Sequence, residues 1–432
     1  MSALPSALTC NPLQWTCPPP LLPGDFDRLR RRLVLDHFKW DPQVGDVETL
    51  ARHPLVLPAA TVSELFTVAE ALAAETEAAE QELLARPDLL HRLGLPRRLH
   101  RVLASDSAPL TAAAARVIRF DFHPTTEGWR ISEANSDVPG GYAESSHFPR
   151  LMAEHFPGLY PVGDPLVALL DALDRHRPGR VGFLAATGYM EDQQVVACLA
   201  DAFRRRGWKT AHGHPGQVEW RDGRAYLPSA GALDVVVRFF QGEWLARLRD
   251  VSRWRPLFRG GRTPVFNSGP AILTESKRFP LVWDELKTPL AAWRSLLPDT
   301  RDPRTAVWRC DPTWLLKAAF GNNGDEVIDR GSTGRKSWRS AKWSARLRRG
   351  AWVAQRRFVT LPVQTPDGPM YPCLGVYTVN GRAAGIYGRI SPKPFIDYAA
   401  VDVAVCSSSG EPSQTKCPPG SRHRRRNSDD PR

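Results

Sequence analysis

The arrangement of apolar and polar residues predicts a β-hairpin in the first third of the chain. Residues 117–123 alternate with a period of two, so their apolar side chains share one face of a strand and their polar side chains the other. Turn-forming residues follow at 124–128, and a second extended run occupies 129–139. If the two runs pair, four polar side chains share one surface of the hairpin: Arg119, Asp121, Glu133 and Asn135.

Farther along the chain, residues 164–267 alternate between strand and helix patterns, which predicts an α/β layer with a largely parallel sheet. Ligands of such sheets bind at the carboxyl ends of the strands. Glu191 and Asp192 lie just past the predicted strand at 180–185, where two carboxylates could bind an amine. Acids at a helix start also favour the helix dipole, and this structural interpretation remains open.

The last third contains a strand at 314–317 that ends in Lys317 and runs into a loop containing Gly321 and Gly324. Backbone N–H groups of such a loop can approach phosphate, and a lysine on the strand can reach the phosphate oxygens. The GxxxxGK[ST] pattern is absent, so this is not a P-loop, and an ordinary turn is the competing interpretation. A strand at 352–358 and a hairpin turning at Asn380-Gly381 follow.

Composition narrows the class of protein. A chain of 432 residues predicts one or two domains, and no apolar run approaches the roughly 20 residues that span a bilayer. The net charge is +12, but the last 27 residues contribute +3 and the rest is spread over arginine-rich faces, so we do not expect nucleic-acid binding. Seven cysteines with no CxxC pair predict reduced thiols, no zinc site and a cytoplasmic location.

The same patterns divide the chain into three parts. Residues 1–25 are proline-rich, which predicts an irregular N-terminus without a signal peptide. Residues 26–405 form the region in which we expect the activity to lie, with a hairpin at 117–139, the α/β layer at 164–267 and, at 268–405, a part whose lysine and glycine loop could bind a nucleotide. Residues 406–432 lack apolar periodicity, which predicts a disordered tail.

The polar surface of the first hairpin has the composition of a magnesium site. Carboxylate and amide oxygens are hard ligands, and Mg²⁺ takes one or two carboxylates together with waters and substrate phosphates. An arginine beside them presents a fixed positive fork to charge that develops on a transferring group. A solvated hairpin with a surface Arg–Asp pair is the alternative that these residues alone leave open.

The motif Arg119-Phe-Asp121 followed by Glu133-x-Asn135-x-Asp137-x-Pro139 resembles the magnesium-binding segment of glutathionylspermidine synthase, a circularly permuted ATP-grasp ligase. The resemblance covers roughly residues 20–405. It implies a circularly permuted, ATP-grasp-like α/β fold with an inserted or adjacent α/β substrate layer. The resemblance also implies a set of site residues: catalytic Arg119; the Mg²⁺ ligands Asp121, Glu133 and Asn135; the nucleotide-binding Lys277, Lys317, Gly321, Gly324, Gln355 and Arg389; and the substrate-binding Glu191 and Asp192.

The activity that the resemblance implies is an ATP-dependent carboxylate–amine ligase that forms an amide through an acyl phosphate. Gly140 and Gly141 stand where the family often has hydroxyl residues, so a ligase joining other amino acids or peptides is an alternative. A non-catalytic basic binding protein that kept the fold is a second alternative. The predicted partners are small carboxylates and amines, with no membrane, and the oligomeric state is left open.

Overall fold

The computed structural model describes most of the chain, namely residues 12–44, 47–105, 114–305, 308–321, 327–329, 334–348, 350–396 and 400–408. The α-helices of this part are α1 (Pro23–His37), α2 (Ala59–Leu84), α3 (Pro87–Leu90), α4 (Arg97–Leu103), α5 (Phe148–Ala153), α6 (Pro165–Asp174), α7 (Met190–Arg205), α8 (Gly242–Leu245), α9 (Val251–Arg259), α10 (Ile272–Glu275), α11 (Ala291–Leu296) and α12 (Arg335–Leu347). Its 3₁₀ helices are Pro12–Gln14, His91–Leu93, Pro215–Gln217, Gly269–Ala271 and Phe279–Glu285, and a π-helical turn spans Ala143–His147.

The strands are short except in the central sheet. They are β1 (Gln43–Val44), β2 (Val47–Glu48), β3 (Leu55–Leu57), β4 (Val117–Thr125), β5 (Gly128–Asn135), β6 (Tyr160–Pro161), β7 (Arg180–Ala185), β8 (Lys209–Gly213), β9 (Glu219–Arg221), β10 (Arg224–Leu227), β11 (Gly231–Ala232), β12 (Val235–Phe239), β13 (Val265–Phe266), β14 (Thr300–Arg301), β15 (Trp314–Ala318), β16 (Val327–Ile328), β17 (Trp352–Arg356), β18 (Val363–Thr365), β19 (Gly368–Val379), β20 (Arg382–Ser391), β21 (Val401–Val403) and β22 (Val405–Ser407).

The central sheet is antiparallel and has the order β21-β20-β19-β4-β5, with β18 paired to β19. Both predicted hairpins are present in it, as β4/β5 and β19/β20. Local sequence signals explain why both hairpins form. The first has the period-two alternation of β4, and the second has a turn at Asn380 and Gly381, whose φ angles of 48° and 75° suit an Asn-Gly pair. One face of β4 packs into the main apolar core, and the other carries the polar side chains.

The α/β layer is also as predicted. Its sheet has the order β13-β12-β7-β8, and all three pairings are parallel. Helices α6 and α7 pack on this sheet around a second apolar cluster that includes Phe183, Leu199 and Val237. The carboxyl ends of β7 and β12 therefore lie at one edge of the layer, beside the start of α7.

A smaller lobe is built from the sheet β14-β17-β15-β16 and helix α12. It has an apolar cluster of its own that includes Trp308, Trp314 and Ala341. Lys317 lies on β15, next to β17 on one side and β16 on the other. This lobe thus carries the lysine that the sequence assigns to nucleotide binding.

The predicted boundaries at both ends need correction. Helix α1 begins at Pro23, and Trp15 is buried, so the part of 1–25 that the structure describes is not irregular throughout. At the other end, the expected tail begins too early, because Cys406 lies in β22, the middle strand of the sheet β3-β22-β6. The small apolar and hydroxyl residues of β22 carry no periodicity over three positions, which is why the sequence pattern misses it. Within the described residues, no helix is both long and apolar enough to cross a lipid bilayer.

Candidate active site

A β-bulge sets the geometry of the first hairpin. Phe120 lies opposite Ala134, and Phe122 lies opposite Ile131. Between these pairs, two residues of β5, Ser132 and Glu133, oppose the single residue Asp121 of β4. Such a bulge bends the strand and re-aims its side chains. The carbonyl of Ser132 accepts a hydrogen bond of 2.9 Å from the ammonium of Lys317. The bulge is therefore the point where the smaller lobe joins the hairpin.

Asp121 is at the centre of the site and is 1% exposed. Its two oxygens accept hydrogen bonds from Nε and Nη2 of Arg119 at 2.8 and 3.1 Å, and from Nη2 of Arg389 at 2.8 Å. The amide of Asn135 donates to the same carboxylate at 3.3 Å. Burial favours the neutral acid, but Arg119 and then Arg389 outweigh it and lower the pKa of Asp121 to about 2. The carboxylate is thus ionised, with two arginines converging on it.

Glu133 is paired with a cation from another segment. Lys277 Nζ lies 3.2 Å from its Oε2 and donates to the carbonyl of Gly321 at 2.7 Å. Burial opposes ionisation of Glu133, yet Lys277 keeps its pKa below the usual range. Burial lowers the pKa of Lys317 to about 8, against the opposing attraction of Glu133. Two lysines and two carboxylates from separate segments therefore meet at this point.

Arg119 also contacts the glycine loop that follows β5. Its Nη1 donates to the carbonyl of Gly140 at 2.9 Å, and that oxygen accepts a second hydrogen bond from the hydroxyl of Tyr377. Gly141 has a φ of 95°, and a Cβ there would lie 2.9 Å from the Tyr377 hydroxyl and 3.0 Å from the ring of Tyr387. Only glycine fits this position, so Gly141 is explained by close packing under Arg119.

Glu191 and Asp192 occupy the first turn of α7. A Cβ on Gly140 would lie 3.6 Å from Phe239 at the end of β12 and 3.8 Å from Val195 of α7, so this edge of the α/β layer borders the glycine loop. Asp192 is 6% exposed, and its Oδ2 has no hydrogen-bond partner among the described residues. Burial, followed by the charge of Glu191, raises the pKa of Asp192 to about 7. An unpartnered buried carboxylate is costly unless a cation binds it.

A further group of acids lies beside Asp137, and our interpretation of the sequence assigned no role to them. Glu275 accepts hydrogen bonds from the backbone N–H groups of Ser136 and Asp137 at 2.5 and 3.0 Å. Burial, with Asp137 next, raises the pKa of Glu275 to about 7 and that of Glu243 to about 8. Asp137 itself is ion-paired with the buried Arg238. Two features of the sequence could have indicated this group of acids: the motif that contains Asp137 and the Glu243-Trp244 pair.

The remaining predicted residues fall in different places. Gln355 is buried in β17, where its amide donates to Thr300 Oγ1 at 2.9 Å, so its side chain is engaged within the smaller lobe. Arg389 contacts Asp121, and its Nε is buried without a hydrogen-bond partner in the described part of the chain. Gly321 accepts from Lys277, whereas Gly324 lies outside the described residues.

The hairpin residues suit magnesium by the chemistry of their donors. Among the described residues, no three His, Cys, Asp or Glu side chains are grouped so as to hold a metal ion. Asp121, Glu133 and Asn135 offer two carboxylates and one amide, and Mg²⁺ commonly completes such a partial set with phosphate and water oxygens. The set therefore fits a metal that arrives with a phosphorylated substrate.

The sheets and helices define a mixed α/β protein. The family model described as glutathionylspermidine synthase preATP-grasp matches residues 38–404, so the chain belongs to this family. This membership supports a function as a peptide or amide ligase. The circular permutation of the fold stays a prediction. No curated protein sequence matches the chain significantly.

Two solved structures are similar to the protein. A glutathione synthetase-like effector from Globodera pallida, in its apo form, superposes with a TM-score of 0.56 at 14% identity, covering 88% of this chain and 95% of that one. A proposed gamma-glutamylcysteine synthetase from Methylobacillus flagellatus KT gives a TM-score of 0.40 at 13% identity, covering 76% and 85%. The first establishes a shared fold and not a shared activity, and the second likeness is too weak to establish either.

Proposed function

We propose that the protein is an ATP-dependent carboxylate–amine ligase that forms an amide bond through an acyl phosphate. One observation carries this proposal: the β4/β5 hairpin, the Lys277 segment, β15 and β20 converge through direct contacts around Asp121 and Glu133. Hard oxygen ligands, two lysines and two arginines in one place suit the binding and transfer of a phosphoryl group. The fold alone would not support this conclusion.

Magnesium would be held by Asp121, Glu133 and Asn135. When bound, it supplies charge neutralisation for the phosphate oxygens of ATP. The ammonium of Lys277 forms an ion pair with Glu133. With Glu133 holding the metal, the ammonium of Lys277 would bind a phosphate oxygen, so we expect Mg²⁺ and ATP to bind together.

The nucleotide-binding part at 268–405 would supply the remaining phosphate contacts. Lys317 and Lys277 present ammonium groups beside Glu133. Arg389 has a buried Nε–H with no partner among the described residues, and an anion would satisfy it. The backbone around Gly321 and Gly324 would contact the phosphates, and the strand that contains Gln355 would bind the base. The cytoplasm, where ATP is abundant and thiols are reduced, is the compartment that we propose.

The reaction has two displacements. An oxygen of the substrate carboxylate attacks the γ-phosphorus, the bond to the β–γ bridging oxygen breaks, and ADP leaves. The amine nitrogen then attacks the acyl carbon, the carbon–oxygen bond to phosphate breaks, and the nitrogen loses its extra proton. Arg119 would face the charge that develops on the transferring group, and preorganised donors of this kind are worth about a hundredfold or more in turnover.

The amine would bind at the edge of the α/β layer at 164–267. Asp192 offers a buried carboxylate with one oxygen that has no partner in the described part of the chain, and Glu191 lies beside it at the start of α7. Glu243 is a third acid in this part of the protein that burial keeps protonated near neutral pH. An ammonium substrate would ionise such groups by pairing with them. Small polycations or amino acids fit this chemistry, and the acid substrate is left open.

Two measurements test the proposal. ATP with Mg²⁺ should raise the melting temperature clearly, and ATP with a chelator should raise it little, because ligand that binds only the folded state stabilises it. ADP and phosphate release should then identify the substrates in a panel of carboxylates and amines. If no nucleotide shifts the melting temperature, the ligase proposal is wrong. Steeply salt-dependent binding to DNA or RNA without turnover would favour the non-catalytic alternative.

A further inference from the structure

The ring of Tyr387 lies against the two arginines that converge on Asp121. The guanidinium carbons of Arg119 and Arg389 each lie 5.3 Å from the centroid of this ring. Cation–π contacts at such distances are attractive, and more so where the site is desolvated. Tyr387 therefore contacts both of the cations that bind Asp121.

The hydroxyl of Tyr387 points away from the arginines. It donates to Oδ1 of Asp402 at 2.6 Å, and the other oxygen of Asp402 lies 2.9 Å from Nζ of Lys39. Lys39 also pairs with Asp41 at 2.9 Å and with Glu144 at 2.6 Å, and its side chain is 5% exposed. A buried lysine with three carboxylates thus anchors the far end of the tyrosine.

We propose that Tyr387 is a positioning residue for Arg119 and Arg389, held in place through Asp402 and Lys39. Its catalytic consequence rests on the proposed function; its effect on the two arginines does not. The ring fixes the planes of both guanidinium groups, and the hydroxyl fixes the ring. The segment before β1 is thereby coupled to the site, because Lys39 and Asp41 follow α1 directly.

Packing alone does not account for this arrangement. A phenylalanine would fill the same volume, and among the residues that the structure describes the hydroxyl donates to Asp402 alone. Burying Lys39 with three carboxylates costs desolvation energy, and apolar residues of similar size often replace such clusters without loss of stability. Groups that orient the residues contacting a ligand commonly change affinity or activity by 10- to 100-fold, on the order seen around metal sites.

Three variants test the proposal. Tyr387→Phe keeps the ring and removes the tether, Tyr387→Leu removes both, and Tyr142→Phe is the control. Tyr142 is a buried tyrosine next to Tyr377, and its hydroxyl has no partner among the described residues. We expect Tyr387→Phe to lower turnover by about tenfold, with KM for ATP changed by less than about twofold, and Tyr387→Leu to lower it further. Tyr142→Phe should behave as the parent protein.

A double-mutant cycle tests the tether itself. Asp402→Asn weakens the acceptor of the tyrosine hydroxyl, so it should lower turnover in the parent protein. In the Tyr387→Phe background the hydroxyl is gone, and Asp402→Asn should then add little. Fully additive losses would show that Asp402 acts through the fold and would overturn the coupling.

The third readout does not need turnover. With ¹⁵N-labelled arginine, the Nε–H signals of Arg119 and Arg389 should shift and exchange faster with solvent in Tyr387→Phe, and remain unchanged in Tyr142→Phe. Unchanged arginine signals with full turnover in Tyr387→Phe would overturn the proposal. If the parent protein has no ligase turnover while the arginine signals respond as expected, the positioning role stands and the proposed function fails.

Discussion

The ammonium of Lys277 lies 3.2 Å from a carboxylate oxygen of Glu133 and also donates to the carbonyl of Gly321. One side chain therefore joins the predicted metal ligand to the start of the predicted phosphate loop. This ion pair lies where we expect nucleotide and metal charges to bind. If Mg²⁺ and ATP bind here as proposed, Glu133 and Lys277 exchange each other for new partners, which makes the pair testable.

Replacing Glu133 by Gln removes the negative charge and keeps the size and hydrogen-bonding capacity. We expect the Kd for ATP in the presence of Mg²⁺ to rise about tenfold, which corresponds to roughly 1.4 kcal/mol. Calorimetric titration with and without chelator measures this effect. Glu127→Gln is the control, since Glu127 is an exposed acid on the same hairpin. Equal affinities for the parent protein and Glu133→Gln would remove Glu133 from the metal site.

Replacing Arg119 by Ala should lower turnover by about a hundredfold or more and leave ATP affinity largely intact. The sequence alone suggests a solvent-filled cleft and no loss of stability, but Arg119 is 7% exposed and paired with buried Asp121. Arg389 and Asn135 still compensate that carboxylate, so we expect the free energy of unfolding to fall by about 1–3 kcal/mol.

Denaturant unfolding and single-turnover ADP release separate these two effects for Arg119. Arg119→Lys keeps the charge and should recover much of the stability while losing the two-pronged contact. Full turnover in Arg119→Ala would mean that this arginine serves the fold alone.

The pKa of Lys317, lowered to about 8 by burial, predicts a pH dependence. Phosphate binding needs the ammonium form, so kcat/KM for ATP should fall as pH rises through about 8. The stability change has the opposite sign: because the folded pKa lies below the unfolded one, deprotonation of Lys317 stabilises the fold between about pH 8 and 10.5. Lys317→Arg should move the falling limb to higher pH, whereas Lys209→Arg, at an exposed position, should not. If kcat/KM of Lys317→Arg still falls at the same pH as in the parent protein, a group other than Lys317 causes the fall.

Asp192 should show opposite effects on stability and amine binding. Its pKa is raised to about 7, so ionisation destabilises the folded protein increasingly from about pH 4 upward. Asp192→Asn should therefore raise the free energy of unfolding at pH 8 by about 1–3 kcal/mol, with little effect at pH 4. The same variant should raise KM for the amine. Asp222→Asn is the control, because Asp222 is exposed in a turn with a φ of 48° that asparagine tolerates. Weaker stability of Asp192→Asn at pH 8 would show that the carboxylate already has a stabilising partner.

Two truncations test the C-terminal boundary. A chain ending at Ser408 should keep its melting temperature, since residues 409–432 lack an apolar pattern to bury. A chain ending at Ala404 loses β22, whose Cys406 is fully buried between β3 and β6, and should melt well below the parent protein. Thermal unfolding followed by circular dichroism compares the two, and equal losses in both would place packed structure beyond Ser408.

The parts of the fold that the sequence predicts correctly are those with strong local signals. The alternation of β4, the Asn380-Gly381 turn and the strand–helix order of the α/β layer each appear within a few neighbouring residues. The proximity of Arg119 and Asn135 to Asp121 follows for the same reason, because side chains two apart share a face, whereas the roles of these residues stay predictions.

The rest depends on contacts between distant segments. The bulge that sets Ser132 and Glu133 against Asp121 is a single extra residue and leaves the pattern of apolar positions almost unchanged. Arg238 interrupts an apolar strand, and the sequence does not indicate that Asp137, about a hundred residues earlier, neutralises it. The cluster around Lys39 joins residues from both ends of the chain. Ion pairs between such distant residues can be identified only once the arrangement of the sheets is known.

The central position of β4 has a consequence for synthesis of the chain. Its partner β5 follows at once, but its other neighbour, β19, begins only at Gly368. At about 5–20 residues per second, a ribosome leaves one edge of this strand without its partner for on the order of ten seconds or more. An unpaired edge beside an apolar face is a template for association with other chains. Nascent chains of this protein are therefore expected to need a chaperone on the ribosome until β19 has emerged.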